Sequence, residues 1–357
     1  MTLEEIQHAI EYGRSISEAN LSRQTFEGIV FEEGNFVRCA FNGTRFIGCT
    51  FDNCTIITCD FRGAHFDGCT FVNSKFMTGT GEGASFAGCQ FDTGAFMSAR
   101  LENADFTDTT HVDFGFMCCR LDDAKFCRAS FNRVGFLESS LERIDFSNAN
   151  IYRVMMTQAD LRAAQLAGAV FHQTLLANGN LAHRDLSGQT FRECTMVDAD
   201  LEKVIFRGSE LTQTSLVNCN LRLSDFSEAN MPLAMLVGSN LAGARMERAE
   251  LSNGVFANAD VTAASFAGSR MTMAVFDNAN CEAARFEGCE LRHGDFTNAN
   301  CKAVNFTNAT FDITKFHGTR LEGALLDGTS GSTVPTDEKR LVAQAYNPKN
   351  VMLDTEI

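Results

Sequence analysis

Tryptophan is absent from this 357-residue sequence, and tyrosine and proline occur only 3 times each. No apolar run approaches the roughly 18 residues that a membrane-spanning helix needs. Positive charge is also short: 30 Lys and Arg stand against 45 Asp and Glu, a net charge of −15 spread along both halves with no basic block. Such a surface repels nucleic acid and anionic membranes, so direct contact with either is excluded on electrostatic grounds. Residues 1–13 are acidic and amphipathic and lack the basic-then-apolar order of a secretory signal, so the expected location is cytoplasmic.

Against these shortages stand 32 phenylalanines. A core that uses one aromatic so heavily reuses one structural slot, which directs attention to internal repeats. Stepping by five from Leu21 gives Phe26, Phe31, Phe36, Phe41, Phe46, Phe51 and Ile56, and the walk runs to Leu326 without insertion or deletion. Only Gly81 and His111 break its run of apolar residues and Cys, and every Phe except Phe114 lies on it. Two residues before each of these centres the side chain is small (Ala19, Cys39, Cys49, Ala104, Ala159), and just before the centre Asn or Asp recurs (Asn20, Asp105, Asp160, Asn230). A period of five fits neither a helix nor a flat strand. It requires a backbone that turns every five residues and sends one large and one small side chain inward each time.

The triplets AlaAsnLeu at 19–21, AlaAspPhe at 104–106 and AlaAspLeu at 159–161 and 199–201 resemble the pentapeptide-repeat family, whose consensus is Ala-(Asp/Asn)-(Leu/Phe)-X-X. The resemblance implies an all-β solenoid, a right-handed quadrilateral β-helix of about 15 coils with 20 residues per coil. At the spacing of paired strands this is a rod of roughly 70–75 Å. Both ends of such a rod need covers, because they expose core and unpaired strand edge. Thr2 and Glu5 form a capping box ahead of Leu3, Ile6 and Ile10, with Gly13 as the stop, so residues 1–16 are expected to be an N-terminal capping helix. Residues 17–328 form the β-helix, and 329–357 a C-terminal cap with a second short helix from Asp337 to Tyr346. Val351 to Ile357 are apolar enough to dock. The rod is expected as a monomer or a side-by-side or end-to-end homodimer.

Residues that suggest chemistry mostly fall into the interior pattern. Of 14 Cys, only Cys118 and Cys127 lie outside the two inward positions, so the rest act as small buried hydrophobes in a reducing compartment. The seven His are scattered with no ligand spacing, and no nucleophile–base pair or nucleotide fingerprint occurs, so no metal, cofactor or catalysis is expected. Four irregularities remain. Gly81, between Gly79 and Gly83, leaves a gap in the centre column between Phe61 and Leu101. His111 replaces Phe in its column while Phe114 occupies a neighbouring small slot, which suggests compensation within a local bulge. Arg184 falls on an inward slot, where an unpaired charge is costly, so either the coil opens there, with a kink near 181–190, or the side chain swings out. The register is unbroken across it, so one domain is expected.

The residue after each centre faces solvent, so the four walls can be compared. On the wall of Leu21 this column is polar and acidic, including Glu82, Glu102, Asp122 and Glu142. On the wall of Phe36 it reads Val37, Ile57, Met77, Met97, Met117, Leu137, Thr157, Ala177, Val197, Val217, Val237 and Ala257. Beside it, before the centres, stand Met155, Leu175, Met235, Val255 and Val275. A Met-rich apolar strip of this length predicts a surface for a protein partner. The expected function is therefore a non-catalytic scaffold or adaptor. The opening residues SerIleSerGluAlaAsnLeuSer also resemble pentapeptide-repeat proteins associated with type VI secretion, which implies an accessory role in loading effectors. The alternative is DNA mimicry toward a type II topoisomerase such as gyrase, as in some members of the family. A charge of roughly −0.2 per Å against about −0.6 for duplex DNA places that reading second.

Overall fold

A computed structural model describes residues 1–339 of the chain. They form a parallel β-solenoid of about 16 turns preceded by one short helix. Paired residues in successive turns are 20 positions apart along nearly the whole rod: Phe36 with Ile56, Ile56 with Phe76, Phe91 with His111. The four walls are named here by their first large centres: the first carries Leu21, the second Phe26, the third Phe31 and the fourth Phe36.

The five-residue repeat follows from local hydrogen bonding. At many centres, and nearly all of those in the second half of the rod, the carbonyl accepts from the amide three residues on, as in Ala64 N to Phe61 O at 2.8 Å and Ala84 N to Gly81 O at 3.0 Å. The residue second after the centre adopts positive φ, as at Arg23 (60°) and Asp123 (60°), which is the turn geometry that a positive third position demands. The Asn or Asp before the centre explains itself: its Oδ1 accepts from the amide two residues on, at 3.0 Å from Thr107 N to Asp105 and 3.1 Å from Thr262 N to Asp260. The small inward slot also has a polar use. Thr44 Oγ1, Cys89 Sγ and Ser209 Oγ donate to the carbonyls of Leu21, Phe66 and Leu186 in the coil below, each at 2.8 Å.

The core is a set of stacked columns. On the second wall Phe46, Phe66, Phe86, Phe106 and Phe126 lie nearly parallel, with successive ring centroids 4.6–4.9 Å apart. Rings on the facing fourth wall meet them edge-on, as Phe116 meets Phe106 at 5.8 Å and 87°. Burial of such side chains at about 1.5–3 kcal/mol each is the main stabilising contribution.

The N-terminal helix spans Leu3–Glu11. Thr2 accepts from Glu5 N at 3.2 Å and donates its amide to Glu5 Oε2 at 2.8 Å, the capping box expected from the sequence. At its end Gly13 (φ 60°) and Arg14 donate to Ile10 O and Ala9 O, each at 2.8 Å, closing the helix in a Schellman motif. Ile6 is fully buried against the first coil. That coil starts one repeat earlier than Leu21: Ile16 is buried and pairs with Phe36. At the other end Thr333–Val334 pair with Thr314–Lys315. The helix expected from Asp337 to Tyr346 and the apolar residues Val351 to Ile357 lie outside the described residues, apart from Asp337 to Lys339.

The inter-coil ladder has two gaps in mid-rod. On the first wall no backbone hydrogen bond joins Leu141 to Asp160 or Arg143 to Arg162, although Leu121 N to Ser140 O and Leu161 N to Asn180 O, one coil away on either side, are both 2.9 Å. On the second wall, one coil further, none joins Leu166 to Asp185 or Gly168 to Ser187, whereas Phe146 N to Gln165 O is 2.8 Å and Leu186 N to Ile205 O is 2.7 Å. The third and fourth walls keep most of their pairing alongside, through Val170 with Thr190 and Met155 with Leu175, and lose single bonds next to the gaps, Thr190 N to Ala169 O and Glu138 N to Thr157 O.

Candidate partner-binding wall

The fourth wall stacks its apolar residues into a continuous ladder. Val37, Ile57, Met77, Met97, Met117 and Leu137 are successive strand partners, and Met155 with Leu175, and Met235 with Val255 and Val275, are paired in the same way. Each side chain is covered above and below by the next, so Val37, Ile57, Met77, Met97, Leu137, Leu175, Val197, Val217, Val237, Val255 and Val275 are half-buried and present only an outer edge. Met117, Met155 and Met235 stand proud, the latter two 45% and 46% exposed.

Sequence reasoning missed part of this surface. Leu233 and Met273, 46% and 53% exposed, sit at positive-φ corner positions (62° and 60°) two residues before Met235 and Val275. The apolar strip therefore widens along the rod. Along its first half it follows the residue after each centre, and along its second half the residue before the centre and the adjoining corner join it. The signal was an apolar side chain at a turn position that is elsewhere polar or glycine.

Much of the acidic column on the first wall is paired with arginine. Arg100 holds Glu82 at 2.7 Å, Arg120 holds Glu102 at 2.9 Å, and Arg62 holds Asp60 at 2.6 Å, which draws the Asp60 carboxyl down to about 2. The corners add exposed pairs 20 residues apart, Arg128 with Asp108 and Arg133 with Asp113. Isolated exposed pairs contribute little stability each, but together they interrupt the row of negative charge, unlike the unbroken row that duplex DNA presents.

The four irregularities have structural accounts. Gly81 keeps the ladder, with its amide 2.7 Å from Arg100 O, and the neighbouring column residues close over it: a Cβ there would stand 3.0 Å from Leu101 Cδ2. His111 is fully buried between Phe91 (4.7 Å, 4°) and Phe131 (5.1 Å, 9°). Its Nε2 lies 2.9 Å from Thr109 Oγ1, its Nδ1 has no partner, and burial pushes its pKa down to about 3, so the ring is neutral. Phe114 is buried against Phe91, Phe96 and Phe116, as compensation requires. The expected bulge is absent: Thr110–Met117 is one eight-residue strand in register with Gln90–Met97. Room for the Phe114 ring comes instead from Gly94 (φ 145°) in the coil below, where a Cβ would stand 2.2 Å from Ser74 O and 3.2 Å from Phe114 Cε2. Arg184 keeps the register, with its stem half-buried in the inward slot and its Nη1 donating to Arg162 O at 2.9 Å.

All cysteines are free, and burial pushes the thiols of Cys54, Cys194 and Cys219 up to about 12, which leaves them unreactive. Among the described residues no group of three or more His, Cys, Asp or Glu is placed to hold a metal, and no helix is long and apolar enough to cross a membrane.

A four-sided parallel solenoid with a five-residue repeat and an inward apolar residue, most often Phe or Leu, in nearly every repeat defines the class of protein. The family model for pentapeptide repeats matches residues 15–55, 169–208, 205–241, 255–292 and 284–328, together more than half of the chain. The chain belongs to the pentapeptide-repeat family. Among solved structures it is similar to a pentapeptide repeat protein from the Arabidopsis thaliana thylakoid lumen (27% identity, 30% of this chain and 74% of that chain covered, TM-score 0.28). It is also similar to HetL, involved in heterocyst differentiation regulation in the cyanobacterium Nostoc sp. (20%, 66% and 86%, 0.27), and to QnrB1, a plasmid-mediated fluoroquinolone resistance protein (20%, 53% and 89%, 0.33). No curated protein gave a significant match. These matches lend no support to the resemblance to secretion-associated members of the family.

Proposed function

We propose that this protein is a non-catalytic binding scaffold whose fourth wall receives a protein partner. The observation that carries this reading is the apolar ladder from Val37 to Val275 with Met117, Met155 and Met235 projecting from it. Exposed apolar surface of this extent on a rigid rod favours association, and thioether side chains adapt to the contour of what they meet. The interleaved Arg–carboxylate pairs of the first wall work against DNA mimicry, since a mimic needs acidic groups left open to a basic saddle.

Met117→Asp and Met235→Asp test the wall. Both side chains are exposed, so the rod and its melting temperature are expected to be unchanged. A desolvated charge at an anchor position is expected to weaken partner binding by about 30-fold or more, equivalent to roughly 2 kcal/mol. Immobilised parent and variant proteins would be compared for capture from an extract of the producing cells, with the captured species then titrated. If the partner is a second copy, sedimentation would show a parent dimer and variant monomers. Equal capture by parent and variants would remove the wall from the binding site, and stoichiometric inhibition of gyrase supercoiling by both would favour the mimic instead.

A further inference from the structure

We propose that the two ladder gaps form a joint, held open by Arg184 and Gln189, that divides the solenoid into two stacks able to bend and unfold separately. The inward column through Arg184 reads Ala124, Ile144, Ala164, Arg184, Val204 and Ser224, so a guanidinium stands where small or aliphatic side chains are the rule. Its stem remains half-buried in the slot, its Nε is enclosed without a partner, and its Nη1 lies 2.9 Å from Arg162 O.

That carbonyl is the one released by the first-wall gap. In regular coils its counterpart accepts from a backbone amide 19 residues earlier, as Glu142 O does from Asp123 N at 2.9 Å and Arg222 O from Lys203 N at 2.8 Å. Gln189 fills the next inward slot and acts similarly. In the amide orientation that satisfies both of its ends, its nitrogen donates to Ala169 O at 3.2 Å and Leu166 O at 3.3 Å. Counterparts of Ala169 O take a backbone amide: Ala149 O from Val170 N at 2.9 Å and Gln189 O from Glu210 N at 3.0 Å. Two adjacent inward slots thus carry long polar side chains that replace missing backbone donors, which prevents buried carbonyls from going unsatisfied while the coils stay apart.

The core thins at the same level. The second-wall Phe column ends at Phe146, passes through Leu166 and Leu186, and resumes at Phe206, so no ring stack crosses the gap. Apart from Thr190 N, whose bond to Ala169 O is lost, the third wall keeps its pairing, and with the fourth it acts as the leaf of the joint. Because the leaf includes the apolar strip, flexing on the open side would change the curvature of the fourth wall without breaking it. In a solenoid each coil is coupled only to its neighbours, so one weakened interface divides the cooperative unit.

Hydrogen exchange on the full chain, read by mass spectrometry, tests the joint directly. The amides of Leu141, Arg143, Leu166, Gly168 and Asp185 are expected to exchange about tenfold or more faster than those of Leu121, Asp123, Phe146 and Leu186. Calorimetry is expected to show two heat-absorption steps. Arg184→Ala combined with Gln189→Ala restores small inward residues and is expected to slow the second-wall amides to their neighbours' rates and merge the steps. Arg184→Met, which keeps the bulk, is expected to leave the gap fast. Uniform exchange in the unmodified protein would overturn the proposal, as would a double variant whose second-wall amides exchange as fast as before or faster.

Discussion

Acidification from pH 7 to pH 4 is expected to cost the solenoid roughly 3 kcal/mol through His111 alone, a loss that His111→Leu abolishes. In the folded chain the ring is sealed between Phe91 and Phe131 and its pKa is pushed down to about 3, while an unfolded histidine titrates near 6.5. The unfolded state therefore binds the proton first. Stability is whole above about pH 6.5, falls as the pH drops below it, and stops falling through this group near pH 3. Carboxylates held by arginine, such as Asp60, lose their own contribution in acid, but parent and variant share that loss. The difference between the two denaturation series isolates His111. Leucine matches the ring closely in volume and occupies many other centres, and it removes the orphaned Nδ1, so at pH 7 the variant should stand within about 1 kcal/mol of the parent. Parallel losses in the two proteins between pH 7 and pH 4 would show that His111 is not the acid-sensitive element.

The second large effect is expected in the Phe column. Phe106 is fully buried, with Phe86 at 4.9 Å and Phe126 at 4.6 Å, both nearly parallel to it. Phe106→Ala removes one ring from an unbroken stack and leaves a cavity whose floor and roof are rigid rings unable to collapse into it. The expected cost is about 3–5 kcal/mol, measured by chemical denaturation. Phe146→Ala should cost less, because its upper neighbour is Leu166, a flexible side chain beside the ladder gap that can relax into the space. Equal costs at the two positions would mean that the gap confers no local freedom.

Much of this architecture was legible because side-chain direction is written in the five-residue register. Phe on the centres, Ala and Cys in the inward slots, and the capping box of Thr2 and Glu5 all follow from periodicity or local chemistry. What the register does not carry is the pairing of residues 20 apart, since backbone amides and carbonyls look alike in every repeat. The gaps at Leu141 and Leu166 left only an indirect trace in Arg184, whose carbonyl partner belongs to another coil. Leu233 and Met273 were missed for a related reason: the corner position tolerates many residue types at positive φ, so an apolar one there stands out only when the neighbouring wall is also in view. Gly94 shows the same limit, because its meaning depends on Phe114 in the coil above.

The constant spacing of 20 residues also governs how the rod is made. Every inter-coil contact closes a loop of the same modest length, so no step of assembly waits for a distant part of the chain. The N-terminal helix already covers the first coil, which leaves one open edge, the one facing residues still to be synthesised. Growth is thus directional: each finished coil is the template for the next, and the nascent rod can lengthen at the pace of translation.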